Sequence, residues 1–347
     1  MDSDLRLNFQ KLAQAGVPTA RVESLARRCR NPAATRIDRM ELAAALAHAA
    51  FAAPELIIET YDAAASGWRD TAVEGPAVTP PRHDPAPISP AFWSALWAQL
   101  DPDRAPPTPG EVTLNTAGLG ANLDDSLKDR SADAALAYPD VAKAAQHGEP
   151  PRFRLEDLAR CPKGSLGATF HDLIVDNGFD LEVLDRDSLG LDTLPAPLGY
   201  LNARILQCHD LWHIVAGYDT TALHEVGISA FQLAQFGHGY SAIFLAVVAA
   251  RSVEDPTTFA VLLDVVFDAW RHGRQTPPLI AIPWAEVWSQ TTEAVRARFR
   301  IAPFASPYPA DLVEQPRAAG GRGVSADWFL MALIPAKAGT QETGRSA

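Results

Sequence analysis

The sequence predicts an all-α protein, a multi-helix bundle with irregular Pro-rich insertions in its N-terminal part, and three observations carry that prediction. Apolar residues recur at helical spacing through most of the chain, the stretches between these runs are short, and strand-like alternation is scarce. With 347 residues, 47% of them apolar and 21% charged, the chain is long enough to bury a sizeable core.

The elements follow in order. Ile37, Leu42, Leu46, Ala50, Leu56 and Ile57 repeat at helical spacing and predict two helices over 35–65, with Asp38 placed to cap the first. Residues 67–90 and 102–109 hold many prolines and few large aliphatics, so both are expected to be irregular, flanking a short helix over 91–100. Helices are then predicted over 136–146, 155–160, 168–177, 197–216, 222–236, 240–252, 257–272 and 284–299. The tail from about 335 is small and polar, with nothing to pack, and is expected to be disordered. The expected division is an N-terminal helical region with Pro-rich linkers over 1–130, a helical domain over 131–303, and a partly disordered extension over 304–347.

Composition narrows the function classes. A net charge of −12, with no long Lys/Arg block, argues against nucleic acid as a partner. Cys29, Cys161 and Cys208 are far apart, with neither C-x-x-C spacing nor an even count, which suits a reducing compartment. The start, Met1-Asp-Ser-Asp-Leu-Arg, is acidic and lacks an apolar leader core, so a cytoplasmic location is expected, at most at the inner face of the cytoplasmic membrane. The longest strongly apolar stretch, 242–250, ends at Arg251, short of the ~20 residues that span a bilayer, so any membrane contact is expected to be peripheral.

The stretch richest in chemistry runs from Cys208 to Glu225. On a helix His209 and His213 lie one turn apart on one face, ~6 Å along the axis, while Asp210 points ~100° around. Two imidazoles can thus share one ion, with Asp210 completing the set or orienting a ligand. Glu225 comes 16 positions after His209. That would be ~24 Å along an unbroken helix, so the helix has to break. Gly217 supplies the stop, and Asp219 or Thr220 the next cap, allowing a second helix to return Glu225 to the imidazoles. Two histidines and two carboxylates suit Zn²⁺, Fe²⁺ or Mn²⁺ better than Ca²⁺. Spacing alone also allows a plain ion pair at a helix C-terminus, where the macrodipole favours His⁺.

Other residues each carry two readings. Gly164 to Gly167 form a turn in which Ser165 is a natural N-cap, a structural role first and a ligand contact second. His171-Asp172 lacks a second His one turn on, Cys208 is read as a small buried residue, and His224 as a bystander beside Glu225. Phe231, Leu233 and Phe236, with the apolar run 242–250, read as core before a ligand groove. Gln232, on the face of Glu225, and Gln235 are amides placed to bond a ligand. No G-x-S-x-G elbow, P-loop, G-x-G-x-x-G turn after a strand, or E-x-x-H pair is present.

His209-Asp210-x-x-His213, then eleven residues and Glu225, resembles the HDxxH-x11-E signature of the Coq4 family. Pro162-Lys163-Gly164-Ser165-Leu166-Gly167 is similar to that family's P-x-G-T/S-L-G turn, and Ile282-Pro283-Trp284-Ala285 with Val295-Arg296-Ala297-Arg298-Phe299-Arg300-Ile301 to its closing helix. The resemblance covers about 132–303 and touches the first 130 residues only loosely, through 42–65. It implies a Coq4-like helical bundle acting in ubiquinone (coenzyme Q) biosynthesis. It further implies that His209, Asp210, His213 and Glu225 hold a divalent metal and do the chemistry, zinc first, with iron, manganese or magnesium as alternatives. The implied ligand is a prenylated hydroxybenzoate-derived quinone precursor, for which Gln232 and Phe236 are the candidate contacts. The implied reaction is decarboxylation or hydroxylation at C1 of the head group, the implied partners are other quinone-biosynthesis enzymes, and a homodimer is allowed. The alternatives are a non-catalytic lipid-binding organiser of those enzymes and, further off, an HD-type metal-dependent phosphohydrolase using His171 with Asp264 or Asp268.

Overall fold

Cap chemistry sets several of the helix boundaries. The computed structural model describes residues 1–31, 33–101, 103–104, 109–182 and 185–313. The irregular segment expected at 102–109 lies largely outside them, and the disordered tail expected beyond 335 lies wholly outside. The helices are α1 (Ser3–Ala15), α2 (Thr19–Cys29), α3 (Arg36–Phe51), α4 (Ile57–Arg69), α5 (Pro90–Gln99), α6 (Pro109–Gly120), α7 (Ser126–Leu136), α8 (Val141–Ala145), α9 (Leu155–Ala159), α10 (Leu166–Asn177), α11 (Leu198–Ala216), α12 (Ala222–Phe236), α13 (Gly239–Ser252), α14 (Pro256–Gln275) and α15 (Thr292–Phe299). Short 3-10 turns stand at Pro54–Leu56, Arg186–Leu189, Leu191–Thr193 and Trp284–Glu286. Among the described residues there is no strand, so the all-α class holds.

Several boundaries differ from expectation for local reasons. Thr35, not Asp38, caps α3; its hydroxyl accepts from the Asp38 amide while Asp38 reaches back to the Thr35 amide, a capping box. The helix expected over 136–146 is interrupted, because Pro139 disfavours helical backbone at Tyr138 and Asp140 turns left-handed (φ 62°) before α8 starts. The helix expected over 284–299 splits into a 3-10 turn and α15, with Thr291 accepting from the Ala294 amide to start the latter. Helices α1, α2 and α6, and nearly all of α7, were not anticipated. The signal for the first two was present: Leu5, Phe9 and Ala13 lie on one buried face, as do Val22, Leu25, Ala26 and Cys29.

One apolar core runs from Leu5 and Phe9 of α1 through to Ile301 and Val313. Its centre is α12, every residue of which is buried, packed against α13 and α14. Close approach to α14 depends on Gly273, where a Cβ would sit 2.7 Å from the Phe231 carbonyl. Each large side chain buried there, such as Phe231, Leu233 and Phe236, contributes ~1.5–3 kcal/mol. These positions are therefore core rather than groove.

The Pro-rich stretch between α4 and α5 has no regular structure, as expected, yet it is tied down. Its backbone groups bond outward: the Ala86 amide to Ala52 O (2.9 Å), the Ile88 amide to Gln14 Oε1 (2.8 Å), Pro76 O from Arg274 Nη2 (2.9 Å) and Asp84 O from Arg130 Nη1 (3.1 Å). No helix among the described residues is long and apolar enough to cross a membrane.

Candidate metal centre

The site is built on the elbow between α11 and α12. Gly217 ends α11 in the left-handed region (φ 78°, ψ 37°), its amide bonded to the His213 carbonyl at 3.0 Å. A side chain at 217 would also meet Pro303 Cβ at 2.8 Å. The N-cap of α12 is Thr221 rather than Asp219 or Thr220, and its side chain makes no capping bond. The Asp219 amide instead donates to His224 Nδ1 (2.8 Å), and the Thr221 hydroxyl donates to the Ala310 carbonyl (2.8 Å). The elbow is short enough to bring Glu225, in the first turn of α12, back onto the last two turns of α11.

Three donor groups converge there at near-equal separations. His209 Nε2 lies 3.2 Å from His213 Nε2 and 3.2 Å from Glu225 Oε2, and His213 Nε2 lies 3.3 Å from Glu225 Oε1. Ligands bound to zinc at ~2.0 Å stand ~3.3 Å apart in a tetrahedron, which is the spacing found. Asp210, 6% exposed, offers a carboxylate oxygen within 4.8 Å of a ring nitrogen of each of the two imidazoles. Glu225 Oε1 is buried without a hydrogen-bond partner, a costly arrangement that a cation relieves. The residues present therefore fit a divalent ion.

Hydrogen bonds behind the donors set the ring orientations. His213 Nδ1 faces the carbonyls of Tyr218 (3.3 Å) and Asp219 (3.1 Å). A carbonyl only accepts, so Nδ1 carries the proton and the Nε2 lone pair of the neutral ring points into the site. His209 Nδ1 lies 2.8 Å from the amide of Gln232. With its nitrogen there, the amide donates to Nδ1 and Nε2 carries the proton towards Glu225; with its oxygen there, it accepts from Nδ1 and frees Nε2 for a metal.

Electrostatics bind the cluster. Burial works to raise the Glu225 carboxyl, but the charge of His213 and the hydrogen bond from His209 outweigh it and bring it down to about 2. For His213 burial opposes protonation, yet Glu225 more than offsets this and raises it above the ordinary histidine value. Burial pushes the Asp210 carboxyl up, against the pull of His209 and His213.

The remaining candidates are placed as follows. Gln232 is 2% exposed with its amide on His209, and the Phe236 ring is fully buried, 5.1 Å from that of Trp212. Both amide ends of Gln235 are consumed by Gly273 O, Thr276 O and the Leu279 amide. Cys208 is fully buried, its thiol pushed up to about 11 by that burial. Ser165 caps α10, and the next two amides bond to the carbonyls of Gln290 (2.7 Å) and Trp288 (2.9 Å), so this turn is structural. His171 pairs with its neighbour Asp172 at 3.2 Å. Asp264 accepts from Trp68 Nε1 (2.8 Å) and the Tyr308 hydroxyl (2.6 Å), and Asp268 pairs with Arg69 (2.6 Å). Among the described residues these do not gather into a second metal-binding set. One residue near the site was not singled out from the sequence: His238, just past α12, is held down to about 3 by burial and by the charge of His209. Its only signal was its place between Gly237 and Gly239.

Residues 108–305 match the family model described as coenzyme Q (ubiquinone) biosynthesis protein Coq4, more than half of the chain. The chain belongs to the Coq4 family. The match begins earlier than the expected start at 132 and takes in α6 and α7. This Coq4 chain is similar to the Drosophila ananassae protein named ubiquinone biosynthesis protein COQ4 homolog, mitochondrial: 29% identical over 60% of this chain and 75% of the relative. The homologue from Mus musculus is 26% identical, over 59% of this chain and 83% of its own. Drosophila pseudoobscura pseudoobscura has one 30% identical over 43% and 53%, so the chain spans about half the length of some relatives it matches. A crystal structure from Nostoc punctiforme, of a protein provisionally named for ubiquinone biosynthesis, is 25% identical and covers 61% of this Coq4 chain and 95% of its own, at a TM-score of 0.46. The relatives' names correct one expectation: they carry the word mitochondrial, which conflicts with the cytoplasmic location read from the acidic start.

Proposed function

We propose that this Coq4 chain binds one divalent ion, zinc first, through His209, His213 and Glu225 with Asp210 alongside, and uses the site on a prenylated hydroxybenzoate-derived intermediate, removing the carboxyl group at C1. The observation that supports this most is the set of three separations, 3.2, 3.2 and 3.3 Å, around a buried carboxylate oxygen without a hydrogen bond. Bound there, zinc supplies Lewis-acid polarisation of a head-group oxygen. The protein's part is orientation and proton control. The Tyr218 and Asp219 carbonyls fix the His213 ring, Gln232 fixes that of His209, and Glu225 sets the local negative charge. On this reading Asp210, whose carboxyl is pushed up by burial against the pull of His209 and His213, is the group that delivers a proton to C1. The bond from C1 to the carboxyl carbon then breaks, carbon dioxide leaves, and the electron pair returns to the ring. The partners on this reading are the prenylated precursor and the enzymes that act on it before and after.

A second reading is favoured by depth: His213 is 1%, Asp210 6% and Glu225 8% exposed. On it the ion staples the elbow, and the protein holds the intermediate for other enzymes without reacting with it. One experiment separates the two. Purified protein, with His209→Ala and Glu225→Gln beside it, is assayed for bound metal and for release of labelled carbon dioxide from a prenylated 4-hydroxybenzoate labelled in its carboxyl carbon. Metal without label release selects the staple; no metal in the unsubstituted protein ends both readings.

A further inference from the structure

An α-helix leaves its last four carbonyls without helical partners. At the end of α11 all four are nonetheless taken. The His213 carbonyl accepts from the Gly217 amide (3.0 Å) and the Tyr218 amide (2.9 Å), and the Ala216 carbonyl from the Phe304 amide (2.8 Å). Arg296 donates to the other two, Ile214 O at 2.7 Å and Val215 O at 3.0 Å. The segment that follows α15 thus lies across the elbow and closes it.

The same segment grips the residues between the two helices. The Phe304 ring stacks on Tyr218, with centroids 4.5 Å apart and planes 16° from parallel. The Tyr218 hydroxyl donates to His272 Nδ1 (2.9 Å), whose other nitrogen donates to the Ala302 carbonyl (2.7 Å). Further along, the Ala310 carbonyl takes the hydroxyl of Thr221. Thr221 is the N-cap of α12, where a threonine hydroxyl ordinarily accepts from the helix's own first amides; here it holds the segment instead.

We propose that Phe304, Arg296 and Thr221 are positioning residues for His213: the strap over 296–310 holds the elbow so that the Tyr218 and Asp219 carbonyls keep the proton on Nδ1 and turn the Nε2 lone pair towards His209 and Glu225. The role in metal binding rests on the reading given under Proposed function. The distance relations state the coupling: the residue whose ring stacks on Phe304 is the one whose carbonyl faces the imidazole at 3.3 Å.

The test uses full-length protein with imidazole nitrogens labelled in ¹⁵N, metal-free at a pH high enough that the His213 ring is neutral and then titrated with zinc alone, comparing the unsubstituted chain with Phe304→Leu, Phe304→Tyr and Thr221→Val. Phe304→Leu and Thr221→Val are expected to mix the two His213 tautomers and to weaken zinc binding about 10-fold or more, with Phe304→Tyr unchanged. Thr221→Val is nearly isosteric and decides the matter if Phe304→Leu does not fold. Zinc affinity and a single tautomer equal to the unsubstituted chain in Thr221→Val, or in a folded Phe304→Leu, overturn the inference. If the unsubstituted chain takes no zinc while Thr221→Val still mixes the tautomers, the positioning of His213 stands and the metal reading falls.

Discussion

The Gln232 amide lies 2.8 Å from His209 Nδ1, joining the middle of α12 to the helix before it across 23 positions of sequence. Gln232 is buried, so the bond has no water competing for it. Because Nδ1 and Nε2 of a neutral ring cannot both carry the proton, the side of the amide facing His209 decides whether Nε2 is a donor or a ligand. Gln232→Leu leaves Nδ1 without a partner and is expected to lower zinc affinity about 10- to 100-fold while the fold persists. Gln232→Glu, able only to accept when ionised, is expected to match or exceed the unsubstituted protein. Competition with a chromophoric chelator measures both, and equal affinity in Gln232→Leu refutes the role.

Proton release provides a second prediction. Glu225 raises metal-free His213 above the ordinary histidine value of ~6.5, so at a given pH a metal has to displace more proton from it than from an unperturbed histidine. Zinc binding is expected to weaken as pH falls through neutrality and to release a proton measurable by calorimetry in buffers of different ionisation enthalpy. In Glu225→Gln the charge that holds the proton is gone, so proton release at neutral pH falls, and affinity falls too because a ligand is lost.

How far the sequence announced this site depends on the range of the contact concerned. His209 and His213 one turn apart, Gly217 as a stop and Glu225 beyond it are local relations, and each was legible from spacing. Gln232 could be assigned to the right face but not to its partner, since helical phase says where a side chain points and not what meets it. Phe304 carried no local mark, and Arg296 was marked only as part of the closing-helix motif, because their part in the elbow is long-range contact. The same division applies to the fold. The boundaries missed at Thr35 and Thr291 turn on single capping bonds, and Thr221 escaped notice because its hydroxyl bonds to Ala310 O, 89 positions away.

Acid sensitivity is expected from histidines that the fold holds neutral. His238 is lowered to about 3, chiefly by burial, and His48 and His272 are lowered for the same first reason. Above pH ~6.5 these rings are neutral in folded and unfolded chain alike, so stability is undiminished. Below that value the unfolded chain binds protons that the folded chain refuses until about pH 3 for His238, so stability is lost progressively across this window. His213, shifted the other way, acts with opposite sign. Urea unfolding at a series of pH values is expected to show the decline, and His238→Asn, which removes the titrating ring and keeps a polar residue at the N-cap of α13, to reduce its slope.

The last prediction concerns the pair that anchors the Pro-rich stretch. Arg130 of α7 donates to Glu55 at 2.5 Å, with side chains 8% and 2% exposed, and also to Asp84 O. Arg130 Nε and Glu55 Oε2 are buried without hydrogen-bond partners, so the pair is only partly compensated for its lost hydration. Removing one charge strands the other: Arg130→Met is expected to cost about 3–5 kcal/mol in denaturant unfolding. Removing both does not, and Arg130→Met combined with Glu55→Leu is expected to recover most of that loss, since two apolar side chains of similar size need no counter-charge. Additive losses in the double variant would mean that shape, and not charge, is what the pair contributes.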